Sequence, residues 1–188
     1  HLMKLGLQNI TLSLVVEDVW KAEDDIIFEK ELMTVANYII DNRLWNKVKV
    51  SSFRKELGMK EIDEHIYPCG QPMYVFDAKG NIYSCIRFAD YSLRSKKHRM
   101  IGTLQTGIDK NKLRPLLAFS RESCYPTKCL DCEVGACCRW CPAENYDASD
   151  SGTIFQRTTT VCLLHKANVR VRNYYWNKIR FIEENERL

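Results

Sequence analysis

Residues 129–142 read CLDCEVGACCRWCP. Five cysteines, at 129, 132, 137, 138 and 141, fall within thirteen residues. A hydrophobic core has no use for thiols at that density, so the stretch calls for a chemical reason. Cys129 and Cys132 form one C-x-x-C, and Cys138 and Cys141 form a second. Such turns let two thiolates reach one centre while backbone N–H groups point at the sulfurs. Soft sulfur donors suit zinc or an iron–sulfur cluster, and this loop alone does not separate the two. Pro142 stiffens the exit from the loop.

Outward from the loop lie four more cysteines, Cys69, Cys85, Cys124 and Cys162, and none precedes Cys69. Nine thiols are too many for one tetrahedral ion, which favours a two-site arrangement. The odd count argues against a disulfide framework. The start, HLMKLGLQNI, lacks the basic and apolar segments of an export signal. Metal ligands in a reducing, cytoplasmic setting are therefore expected. His1-Leu2-Met3 reads as a cloning scar. The net charge is only +4, which gives no case for nucleic acid as a partner. No apolar run is long enough to cross a bilayer, so no membrane partner is expected.

Before the first cysteine the chain has α/β character. NITLSLVVED (9–18) reads as a buried strand. From Asp24 a helix follows, with Phe28, Leu32, Val35 and Ile39 on one face and Ala36 and Ile40 beside them. WNKVKVSSF (45–53) reads as a second strand through the alternation at Val48 and Val50. Strand, helix and strand with a long connection predict a parallel βαβ unit.

After it, PMYVFD and NIYSCIRF predict a hairpin about DAKGN, with Gly80 free to take a positive φ. Cys69 lies just before this hairpin and Cys85 in its second strand. Arg94, Lys96, Lys97 and Arg99 read as a solvated basic turn, with contact to an acidic peptide or an anionic cluster as the functional reading. DKNKLRPLLAFSRES predicts a short helix whose start Pro115 limits. The last segment is helical in pattern. There His165 reads as a helix residue, and Tyr174, Tyr175 and Trp176 as packing residues. Arg170, Arg172, Lys178 and Arg180 read as a solvated face, with the lining of a peptide path as the functional reading. Asp77 and Glu144 have acid–base chemistry, but nothing selects them, and no catalytic residue is assigned.

The order Cys69, Gly80, Cys85, then Cys129-x2-Cys132-x5-Cys138, Cys141 and Cys162, resembles the SPASM domain, covering about half the chain. SPASM domains are the C-terminal auxiliary iron–sulfur domains of radical S-adenosylmethionine enzymes that mature peptides and proteins. CRWCPAENYD, DAKGNIYSCIRF and TIFQRTTTVCLLHKANVRVRNYYWNKI resemble the clostridial maturases of Cys-rich or CXXX-repeat peptides. The family's loop ends C-x5-C-x3-C. Here Cys138 keeps the first gap and Cys137 the second, and Cys138 is the preferred ligand.

The resemblance implies two auxiliary [4Fe–4S] clusters, which oxygen can strip during aerobic purification to leave apo thiols, disulfides or adventitious zinc. One would use Cys69, Cys85 and Cys141, with substrate, solvent or Cys124 at its fourth position. The other would use Cys129, Cys132, Cys138 and Cys162. It implies an α+β chain in which 1–66 is the βαβ end of a partial (β/α) barrel. Residues 67–188 would form the SPASM domain, with its hairpin, Cys-rich loop and C-terminal helix. The C-x3-C-x2-C that holds the S-adenosylmethionine cluster does not occur in this sequence. That cofactor and its cluster are therefore expected only in a longer parent, and this chain is expected to be inactive alone. The implied reaction is a radical modification of a ribosomal peptide, such as a thioether crosslink or an epimerisation. The implied partners are a Cys-rich precursor peptide, the rest of the barrel and an electron-donor protein. Two other readings remain: a structural zinc-binding interaction module, and a sulfatase-maturase-like fragment. Against the latter counts the lack of an extra cysteine just before Cys69.

Overall fold

The structure is a computed structural model that describes residues 1–187 except 18, 55–68, 70–72, 90–95, 121–122, 124–128, 130 and 139, and the side chain of 136. Helices and small sheets are mixed, an α+β chain. It divides into two compact units, His1–Lys60 with Thr159–Leu188, and Glu61–Thr158.

In the first unit, β1 (Asn9–Ile10), α1 (Asp24–Asp41) and β2 (Lys49–Val50) form the expected parallel βαβ. Asn9 lies opposite Lys49 and Ile10 opposite Val50. Asp24 and Asp25 set negative charge in the first turn of α1, where the helix dipole favours it. The strand expected over 9–18 is only two residues long. Its partner explains this: after Val50 the chain tightens into a 3-10 turn, Ser51–Phe53, and offers no further ladder. Ser51 Oγ instead accepts from Leu12 N at 2.8 Å and donates to Leu12 O at 3.2 Å.

The long helix α4 (Cys162–Asn185) also belongs to this unit. Val171, Tyr175 and Ile179 share a buried core with Leu32, Ala36, Ile39 and Ile40 of α1. Tyr175 stacks on Phe53 with ring centres 4.6 Å apart. Trp176 Nε1 donates to Phe53 O at 2.8 Å, and Tyr174 Oη bonds Asn37 Oδ1 at 2.8 Å. Arg170 grips both carboxylate oxygens of Glu29 through Nε, at 3.0 and 3.1 Å, and Arg43 pairs with Glu186. A boundary at 66, with everything after it in one domain, therefore differs from the observed partition. The apolar stripe of α4 is covered by α1, which returns the end of the chain to its beginning. Arg172 is buried, not part of a solvated face.

The second unit is built on an antiparallel meander, β3 (Val75–Phe76), β4 (Asn81–Tyr83), β5 (Met100–Thr103) and β6 (Gly107–Ile108), in that spatial order. The predicted hairpin is β3–β4, with Gly80 at φ 79°. Asp77 ties the turn: its Oδ1 accepts from Lys79 N at 2.8 Å and Asn81 N at 2.9 Å. Its Oδ2 accepts from Asn81 Nδ2 at 2.8 Å and Tyr83 Oη at 3.1 Å. Asp77 is thus a turn residue. Gly102 is required for a different reason, since a Cβ there would meet Gly107 O at 2.1 Å.

Helix α2 (Lys110–Leu117) starts where Asp109 Oδ1 accepts from Asn111 N at 2.9 Å and Lys112 N at 3.4 Å. Pro115 lies inside this helix and does not set its start. Helix α3 (Pro142–Ala148) opens with Pro142 in its first turn, where the missing N–H has no partner to lose. Ile82, Tyr83, Phe88, Ile101, Leu116, Phe119, Trp140, Tyr146 and Ile154 make the core of this unit. No described helix is long and apolar enough to cross a membrane.

Candidate metal centre

Three cysteines from separate segments enter that core. Cys69, Cys85 and Cys141 are each only 5% exposed. Cys69 makes an isolated bridge to Met73, just before β3. Cys85 lies just beyond β4, not within it, with extended backbone at the head of a 3-10 turn, Ile86–Phe88. Cys141 caps the start of α3.

The Cys69 and Cys85 thiols lie close enough to shift each other's proton affinity. The interaction with Cys85, then burial, pushes the Cys69 thiol up, and the charges of Cys85, Cys141 and Glu144 push the same way. Cys85 is drawn down to about 7, first by the interaction with Cys69 and then by the amides of Arg87 and Phe88, against its burial. Cys141 is pushed up to about 12 by burial and by the Glu144 carboxylate, while the amides of Glu144 and Ala143 oppose the shift. The amides at Cys85 and Cys141 are the kind of donor that stabilises a bound thiolate.

A second set gathers about the turns of the loop. Cys132 N bonds Cys129 O at 3.5 Å and Gly135 N bonds Cys132 O at 2.9 Å. Cys138 N then bonds Gly135 O at 3.2 Å, after a 3-10 turn, Gly135–Cys137. Burial raises the Cys138 thiol, the Arg157 guanidinium opposes this, and the charges of Cys129 and Cys132 raise it further. Cys129, Cys132, Cys137 and Cys138 are all half-buried.

The second C-x-x-C is therefore split. Cys138 has Cys129 and Cys132 as charge neighbours, whereas Cys141 has Cys85.

Cys162 is the first residue of α4, in the other unit, and Cys124 lies outside the described residues, as does Arg94. His165 lies in the first turn of α4. Among the described residues no group of three His, Cys, Asp or Glu side chains is placed to hold a single metal ion. By donor chemistry the two sets still fit iron–sulfur ligation: soft thiols, burial, and amides or a guanidinium at three of the sulfurs.

The basic segment is more than a solvated turn. Arg99 lies 5.8 Å from the Phe88 ring centre and 5.2 Å from that of Tyr146. Tyr146 Oη donates to Lys97 O at 2.7 Å. Lys97, His98, Arg99 and Lys112 line a cavity of about 380 Å³, floored by Met100, Ile101 and Pro115. Arg157, which the sequence reading does not single out, contacts the second thiol set directly. Compared with family models, with curated proteins and with solved structures, the chain matches none.

Proposed function

We propose that this chain is the auxiliary-cluster part of a radical S-adenosylmethionine enzyme that modifies a ribosomally made peptide in the cytoplasm. One [4Fe–4S] cluster is held by Cys69, Cys85 and Cys141, and the other by Cys129, Cys132 and Cys138. The observation that supports this reading is the division of the thiols into two sets whose memberships interleave along the chain. A single zinc site built from the two C-x-x-C turns would leave Cys69 and Cys85 unused, although Cys141 has Cys85 as a charge neighbour.

When bound, the clusters supply one-electron storage and, at an iron with an open position, a place for a substrate thiolate. The chain's own residues orient and charge the sulfurs: Arg87 and Phe88 amides at Cys85, Ala143 and Glu144 amides at Cys141, Arg157 at Cys138. The cationic cavity beside β5 suits acidic side chains of a precursor peptide. In this reading the βαβ unit is the end of a partial (β/α) barrel. The radical is made by the part of the enzyme that carries C-x3-C-x2-C, and an electron-donor protein completes the system.

The test is anaerobic reconstitution of the full chain with ferrous iron and sulfide, followed by iron analysis and electron paramagnetic resonance after reduction. Cys138→Ala is expected to lose about half the iron and Cys137→Ala none. Equal loss in both variants, or loss in neither, would overturn the assignment.

A further inference from the structure

Residues 153–158 follow α3 and return beside the cysteine loop. Asn145, fully buried, anchors this return: its Nδ2 donates to Ile154 O at 2.9 Å and its Oδ1 accepts from Thr158 N at 3.1 Å. Ser149 Oγ accepts from Thr153 N at 2.9 Å. Between these anchors Arg157 is delivered to one place. Its guanidinium lies 4.5 Å from the centre of the buried Trp140 ring, and its Nη2 donates to Cys138 Sγ at 3.0 Å.

Arg157 is half-buried, and its buried Nε has no hydrogen-bond partner among the described residues. No ion pair between Arg157 and a carboxylate occurs among the described residues either. Removing a guanidinium from water without an anion to meet it is costly. The thiol set of Cys129, Cys132 and Cys138 is where such an anion would reside. Trp140 fixes the plane of the fork by cation–π contact, which a lysine in the same place would not reproduce.

We propose that Arg157 is the charge-compensating residue of the second thiol set, and that its N–H···S bond to Cys138 raises the reduction potential of the cluster held there. The inference rests on the cluster reading above. Reduction adds one negative charge to a cluster, and a cation with a hydrogen bond to a ligand sulfur stabilises that charge. Arg157 acts through Cys138 and is a positioning residue.

The experiment compares wild type, Arg157→Gln and Arg157→Lys as full chains reconstituted without oxygen. Iron and sulfide are counted, and each cluster's midpoint is measured by spectroelectrochemical titration. In Arg157→Gln one of the two waves is expected to move to lower potential by at least tenfold in the reduction equilibrium, about 59 mV for one electron, with the other unmoved. Arg157→Lys is expected to move the same wave in the same direction by less. If Arg157→Gln retains only about four irons, the potential comparison is made on Arg157→Lys instead, where an unmoved wave overturns the inference. Full iron with both waves unmoved, or both moved alike, would overturn it. If Arg157→Gln does not fold, an unmoved wave in Arg157→Lys overturns it instead. Wild type that takes up no iron overturns the cluster reading itself, and this inference with it.

Discussion

Asn145→Ala removes two hydrogen bonds from a fully buried position and leaves Ile154 C=O and Thr158 N–H without their partner. Stranding such a group costs roughly 1–2 kcal/mol, so the pair amounts to about 2–4 kcal/mol. The loss concerns one link between α3, which begins at Cys141, and the segment that carries Arg157. Urea unfolding of the reduced, metal-free chain measures it. With a slope of about 2 kcal/mol per molar, the midpoint should fall by about 1–2 M at constant slope. Asn145→Asp keeps the acceptor for Thr158 N but loses the donor to Ile154 O and adds a buried charge, so it should be no better than alanine. A midpoint within about 0.2 M of wild type would refute the reasoning and show that residues 153–158 are held by other means.

Three further outcomes are expected. Ile39→Ala, in the core shared by α1 and α4, should destabilise by about 2–5 kcal/mol in thermal or urea melts, whereas Phe181→Ala, at a side chain 64% exposed, should stay within about 0.5 kcal/mol. The Asp77 carboxyl, held down to about 2 by hydrogen bonds led by the Asn81 amide, should titrate there by nuclear magnetic resonance. Its contribution to the hairpin is complete above the ordinary value of 3.8 and is lost as pH falls through about 2, and an unshifted titration would refute the turn geometry. Gly102→Ala should open the β5–β6 edge, because the new Cβ meets backbone at 2.1 Å, and amide exchange at Ile108 should quicken without a matching change at Val75.

The parts of the fold legible in the sequence were those with local signals. Helix α1 was announced by its apolar spacing, β2 by alternation, and the β3–β4 turn by Gly80 and its neighbours. Residues 11–16 were misleading because an aliphatic run reads as strand whether or not a partner ladder exists, and β2 ends at Val50. Strands β5 and β6 were hidden inside a segment dominated by basic residues, their one cue being two glycines that let the backbones close. The helical pattern of α4 was visible, but its partner was not. Packing on α1 depends on shape fixed over more than a hundred residues of separation, which no local pattern records.

At the candidate site, the crowding of the cysteines was legible from spacing alone. Cys129 and Cys132 bear on the Cys138 thiol and Cys85 on that of Cys141, neighbourhoods that spacing does not record. Arg157 carried no signal at all. A single arginine among threonines becomes a neighbour of Cys138 only because Asn145, twelve residues earlier, anchors its segment.

The central claim is that two clusters reside on these thiols. It is tested most directly by iron, acid-labile sulfide and zinc per chain, on protein purified without oxygen, with a visible spectrum alongside. The account predicts about eight irons with matching sulfide and a brown protein. One or two zincs with no iron, persisting after anaerobic reconstitution, would contradict it and make the chain a structural zinc module.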